Sequence, residues 1–193
     1  MSVSKMNRYE RRKQNTRQQL RDAAMQIMIE KGYASLTVQE ITDRADLGYG
    51  TFYIHYAEKD DLVWEILEAI GDAFIAQVNA AVADLPSPQR EYKSWVLMFE
   101  NADQNREIYI SLFGKNGSVL LNTRMMDYLA RVHGENLQSG LYSALLDLPP
   151  TFLAQFIVGA MWRLLMWWLE TPNDYSPDQM AVMLYRAVYR VNS

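Results

Sequence analysis

The sequence predicts an all-α protein, and three observations carry that expectation. Apolar residues recur at positions 20, 23, 24, 27 and 28, and again at 180, 183, 184, 187, 188 and 191. Both sets follow the i, i+3, i+4, i+7 series of an amphipathic helix. Capping residues and Gly or Pro breaks separate such windows, and no run alternates apolar and polar residues as a half-buried strand does.

The elements follow in order. Residues 1–14 are basic and lack an apolar face, so they read as a disordered arm. A first helix is expected over 15–31, closed by Gly32. Thr37 and Glu40 form a T-x-x-E capping box, which lets a short helix run over 38–45. Val38, Ile41, Thr42 and Ala45 give it one buried face. Asp46 stands where the chain must turn sharply, and Asp tolerates left-handed backbone angles. Leu47 plugs the space between two helices, and Gly48 serves as N-cap for a helix over 49–55. Phe52 points inward, leaving Tyr49, Gly50, Thr51, Tyr53 and His55 outside.

A long helix over 59–83 comes next, with Asp60 and Asp61 favouring its N-terminus. Leu62, Val63, Ile66, Leu67, Ile70, Phe74, Val78 and Val82 form its inward face. Leu85-Pro86-Ser87-Pro88 is a break in which Ser87 caps and Pro88 opens a helix over 88–102. Helices over 104–113 and 118–146 follow, the second weakened at Gly134 and Gly140. After Leu148-Pro149-Pro150 come helices over 151–170 and 177–191, the last capped by Ser176 with Gln179.

A short capped helix, a three-residue turn and a second short helix make a helix-turn-helix grammar, whose second helix enters the major groove. Hydroxyls, an imidazole and a glycine on its outer face pack poorly but suit phosphates and base edges. Thr37 and the backbone N–H groups of the helix opening at Val38 also suit a phosphate.

The run Gly50-Thr51-Phe52-Tyr53-Ile54-His55-Tyr56, followed by Lys59 and Leu62, resembles the TetR family of one-component transcriptional regulators. Residues 16–33 are similar to that family's first helix and its closing glycine. Two positions depart: Asp46 replaces the usual turn glycine and Gly48 the usual capping serine. The resemblance implies a DNA-binding domain over 15–70 and a helical ligand-binding and dimerisation domain over 71–193. It implies phosphate contacts from Tyr53, His55 and Lys59. Tyr49, Gly50 and Thr51, just after Gly48, would lie nearest the bases.

Composition bounds the other classes. Cysteine is absent, and His55 and His133 are the only histidines, so neither thiolate chemistry nor a His-rich metal site is expected. Residues 1–12 lack an apolar segment of the secretory kind, which reads as a cytoplasmic protein. No G-x-S-x-G, P-loop, H-E-x-x-H or post-strand G-x-G-x-x-G occurs, so no enzyme activity and no cofactor is expected. The net charge of −4 is unevenly spread: residues 1–21 carry seven basic side chains against Glu10, while residues 57–193 carry ten basic and seventeen acidic. A basic end on an acidic body suits a protein that presents that end to a polyanion.

From Phe152 to Leu169 only Gln155 and Arg163 are strongly polar, so that helix is expected to be buried on nearly all sides. Arg163 at mid-segment argues against a membrane span. A chain this size struggles to bury both final helices, which points to a four-helix interface with a second copy. Phe156, Ala160, Trp167, Met180, Leu184, Ala187 and Val188 are its expected members, and the resemblance implies the same arrangement. It also implies an inducer pocket in the second domain, for which Trp95, Phe99, Tyr109, Phe113, Tyr128, Trp162 and Met166 are candidates. These side chains suit a small apolar or aromatic ligand; each also fits plain core. The function expected is a homodimeric repressor on a partly palindromic operator, released by a small molecule. Recruitment of a protein partner, or a helical interaction protein that binds no DNA, are the alternatives.

Overall fold

The computed structural model describes residues 7–142 and 148–189, and no strand occurs among them. Among the described residues nine α-helices follow one another: α1 Arg8–Lys31, α2 Val38–Arg44, α3 Tyr49–His55, α4 Lys59–Val82, α5 Gln89–Gln104, α6 Arg106–Phe113, α7 Val119–Gln138, α8 Pro150–Glu170 and α9 Pro177–Tyr189. The chain divides into two units, one ending at Ile70 and the other beginning at Gly71.

In the first unit α1 packs on α2 and α2 on α3. Leu20, Ala24, Ile27, Leu36, Ile41, Phe52, Leu62 and Val63 are fully buried there. A single 3₁₀ turn, Tyr33–Ser35, links α1 to α2 and was not anticipated. Helix α1 begins at Arg8, a full two turns before the expected start. Its extra residues have no apolar face, but Arg, Lys, Gln and Glu are good helix formers. Asn7 supplies the start: its side chain accepts a hydrogen bond from Tyr9 N–H at 3.2 Å.

In the second unit α7 packs on α8, and α9 on α5. The inner side of α8, Leu153, Ala154, Ile157, Val158, Met161, Leu165 and Trp168, is buried. Its last carbonyls are held by Arg106, whose guanidinium donates to Leu169 O at 2.7 Å and lies 5.1 Å from the Trp168 ring. By length and composition α8 passes for a membrane-spanning helix, yet 56% of its most apolar window is buried inside the fold.

Four expectations need correction here. Helix α7 stops at Gln138, because Gly140 takes a positive φ of 74° that ends the helix. The expected continuation over 143–146 falls outside the described residues. Ser87 does not cap α5; its hydroxyl donates instead to the buried Glu91 carboxylate at 2.8 Å. Ile70, expected inward, is exposed. Helix α8 is not buried all round: Phe152, Phe156, Leu164 and Trp167 are exposed along its other side.

Candidate nucleic-acid interface

Local chemistry builds the α2–turn–α3 motif residue by residue. Thr37 Oγ1 accepts Glu40 N–H at 3.1 Å and starts α2. The reciprocal half of the expected capping box is diverted, because the Glu40 carboxylate is engaged by Lys31. The turn closes with Leu47 N–H donating to Thr42 O at 2.9 Å, and Asp46 takes φ 53°. That is the left-handed region, which Asp adopts more readily than most residues. Gly48 is extended and accepts Thr51 N–H at 2.8 Å.

Helix α3 is pinned by one side chain. Phe52 is fully buried, and Tyr56, just past the helix end, is buried beside it. Everything else on α3 faces outward or lies at the margin. Tyr49, Gly50, Tyr53 and Ile54 are exposed, and Thr51 and His55 are half-buried. The Tyr49 and Tyr53 hydroxyls are 3.0 Å apart and their rings meet edge to face. Mutual hydrogen bonding holds the Tyr53 phenol above its ordinary range. A Cβ placed on Gly50 would meet nothing within 4 Å. No neighbour in the fold therefore requires glycine at that position.

Ile54 is the α3 residue that sequence reasoning passed over. It is 72% exposed, and its signal was available: a β-branched apolar residue on the outer face of a helix whose inner face Phe52 already fills.

Two expected phosphate ligands sit differently from their sequence reading. Lys59 is half-buried; its ammonium donates to Leu36 O at 2.9 Å and lies 4.3 Å from the Tyr33 ring. It is a tether between α4 and the α1–α2 connection, not a freely projecting cation. Burial first, then the positive charges of Arg17 and Lys13, hold the His55 imidazole below its ordinary range, which favours its neutral form. Its Nδ1 is buried without a hydrogen-bond partner. Thr37 is exposed and Val38 half-buried at the α2 start.

In the second unit, Trp95 lines a cavity of about 40 Å³ with Met98, Val132, Ile157 and Met161, and with His133, Ser94 and Tyr142 at a polar side. The other six pocket candidates do not line it. Phe99 is fully buried edge-on to Trp168, and Met166 is buried in α8. Tyr109, Phe113 and Trp162 form an aromatic cluster, pinned by Trp162 Nε1 donating to Asn122 at 2.7 Å. Tyr128 donates to Asp72 at 2.8 Å. Phe99, Phe113 and Met166 are held here by apolar and ring contacts, and Tyr109, Tyr128 and Trp162 by hydrogen bonds as well, which single-sequence periodicity does not reveal.

The expected subunit face divides in two. Met180 and Leu184 are buried against α5 in the same protomer and are unavailable to a partner. Phe156 is 57% exposed and Trp167 36%. Ala187 is exposed, while Ala160 and Val188 are half-buried.

Models of two domains match this chain. Residues 20–66 match "Bacterial regulatory proteins, tetR family", which contains the whole α2–α3 motif. Residues 92–190 match a transcriptional regulator C-terminal region that accompanies it. The chain belongs to the TetR family. Its helix-turn-helix motif and all-α fold are those of that family of bacterial regulatory proteins.

Relatives agree. The chain is 26% identical over 125 residues to the uncharacterized HTH-type transcriptional regulator YuxN of Bacillus subtilis, spanning 64% of this chain and 43% of that one. It thus covers less than half the length of that relative. It is 22% identical to the HTH-type transcriptional repressor DhaR of a Mycobacterium species, over 89% of this chain and 91% of DhaR. Among solved structures, the TetR-family repressor FadR of Thermus thermophilus, in complex with lauroyl-CoA, superposes with a TM-score of 0.69 at 14% identity, covering 89% of this chain and 92% of FadR. At that identity the likeness shows the fold alone.

Proposed function

We propose that this TetR-family regulator is a homodimeric repressor that binds a partly palindromic operator through α3 of each subunit. One observation carries the reading: α3 buries only Phe52 and offers its bare Gly50 backbone, two coupled tyrosines and Ile54 outward. A helix that keeps a glycine no neighbour requires is suited to close approach from outside. Tyr49, Gly50 and Thr51 are assigned to bases, with Ile54 placed to meet a thymine methyl. Thr37, the Val38 and Gly48 backbones, Tyr53 and neutral His55 are assigned to phosphates and register. Lys59 is reassigned to supporting the motif.

The subunit interface is assigned to the exposed side of α8, centred on Phe156, Ala160 and Trp167, with Ala187 and Val188 of α9. Four exposed large apolar side chains on one helix favour burial against a second copy. The protein acts in the cytoplasm, where its operator is. Relief of repression is assigned to a small apolar or aromatic ligand entering beside Trp95. DhaR is named a repressor and the FadR neighbour holds lauroyl-CoA, which support release by a small molecule. Binding has to favour the DNA-free form by differential affinity, and about 3 kcal/mol shifts occupancy appreciably.

A second reading has one observation in its favour. A cavity of about 40 Å³ holds a few waters, far below the roughly 300 Å³ of a drug-sized site. Ligand entry beside Trp95 therefore requires Met98 and Met161 to move, which their flexible side chains permit; the open cleft of about 400 Å³ between α7 and α8 is lined mainly by polar residues such as Asp127, Arg131, Glu135 and Gln155. If instead the second unit recruits a protein, no small molecule will release the DNA. A chemically broad compound screen for displacement of a fluorescent operator decides between them.

A further inference from the structure

Helix α1 holds a surface that the helix-turn-helix does not use. From Asn7 to Asn15 every residue is exposed, so the first two turns of α1 stand clear of the fold on all sides. They carry Arg8, Arg11, Arg12 and Lys13 against Glu10. None of the four cations has a side-chain partner among the described residues. Residues 57–193 are net acidic, so this charge is local rather than general. The segment also precedes residues 20–66, the stretch that the family's DNA-binding model matches.

Its placement is fixed from behind. Arg17 sits 5.0 Å from the ring of Tyr56, just past α3, and pairs with Glu65 of α4, which ties the third turn of α1 to both. Lys13 lies one turn earlier on the same side as Arg17. Arg8, Arg11 and Arg12, at i, i+3 and i+4, share the opposite side. Cations on both sides of a free-standing helix match a groove with phosphates on both walls better than a flat surface. The major groove, about 12 Å wide, admits an α-helix. The helix-end N–H groups are not invoked for this; the Asn7 side chain caps that of Tyr9.

We propose that Arg8, Arg11, Arg12 and Lys13 hold backbone phosphates of duplex DNA flanking the operator half-site, extending the footprint beyond the bases read by α3. The inference rests on the DNA-binding reading above and adds a sequence-independent clamp to it. Each phosphate held adds about 0.9 to the salt slope of binding.

The test uses the full chain and two duplexes: an operator obtained by selection and trimmed to its half-sites, and the same operator with ten further base pairs of arbitrary sequence on each side. Wild type should bind the long duplex more tightly, by on the order of tenfold at 150 mM salt, with a slope steeper by about two units or more. The R8Q/R11Q/R12Q/K13Q variant should bind both duplexes alike while keeping wild-type affinity for the trimmed one. Equal binding of the two duplexes by wild type overturns the proposal whatever the variant does. So does a variant that keeps the wild-type preference for the long duplex. Failure of wild type to prefer the trimmed operator over a scrambled duplex marks failure of the DNA reading itself, and is separable from either result.

Discussion

Tyr49 and Tyr53 touch hydroxyl to hydroxyl at 3.0 Å, one turn apart on the outer face of α3. Each ring limits the other's freedom, so under the proposed assignment the pair would meet DNA pre-ordered. Tyr49→Phe and Tyr53→Phe are each expected to weaken operator binding, and the double variant by less than the sum. A coupling of about 0.5–1 kcal/mol in a double-mutant cycle, read by anisotropy, is the expected size. Strict additivity would show that the pair does not act as a unit.

Gly50→Ala separates stability from function. A Cβ there meets nothing, and replacing glycine in a helix stabilises it by about 0.5–1 kcal/mol. Thermal unfolding should therefore rise or hold, while operator affinity falls. A variant that binds DNA as wild type does would remove Gly50 from the contact surface.

Lys59→Ala should act on the fold. Its ammonium holds Leu36 O at 2.9 Å and covers the Tyr33 ring, so its loss is expected to cost about 1 kcal/mol in denaturant unfolding. The salt slope of DNA binding should hardly change. A slope reduced by about one unit with unchanged stability would restore Lys59 as a phosphate ligand.

Stability should fall with acidity through His133. Burial pushes this imidazole down from 6.5 to about 4, with Glu91 opposing weakly. Its folded-state affinity for protons is the lower one, so the unfolded chain binds more protons between those values. Stability is full above pH 6.5 and is lost as pH falls towards 4, by an amount on the order of 2–3 kcal/mol. His133→Leu should flatten that part of a urea-unfolding profile; an unchanged profile would assign the loss to other groups.

Two glutamates should separate interface from core. Phe156→Glu, on the exposed side of α8, is expected to give a folded monomer by sedimentation and circular dichroism. Leu184→Glu should unfold the second unit, because Leu184 is 1% exposed within one protomer and a carboxylate cannot be buried there unpaired. A stable dimer in Phe156→Glu would move the interface elsewhere.

Most helices were legible because periodicity and caps agree with tertiary packing. Asp46 and Phe52 take the places their chemistry implies. What escaped detection has physical causes. The start of α1 rests on propensity and a cap with no buried face, so hydrophobic periodicity cannot register it. The turn Tyr33–Ser35 is too short to show a period. Met180 and Phe156 look alike in sequence, since an apolar helix face does not say whether its partner is the same chain or another. The contacts of Lys59 and of Trp162 were not legible for a related reason: a residue's type gives its capacity for contact, whereas hydrogen bonds such as Lys59 to Leu36 and Trp162 to Asn122 fix where it sits.

The most direct test of the account is selection of duplexes from a random library by wild type and by Thr51→Ala. Wild type should enrich two inverted half-sites whose centres allow two copies of α3 to reach successive major grooves, about 34 Å apart. Thr51→Ala should change the preferred base at symmetry-related positions, by about 1–3 kcal/mol. Enrichment of no common sequence, or of the same sequence with the same base preferences by both proteins, would contradict the assignment of α3 as the reading helix.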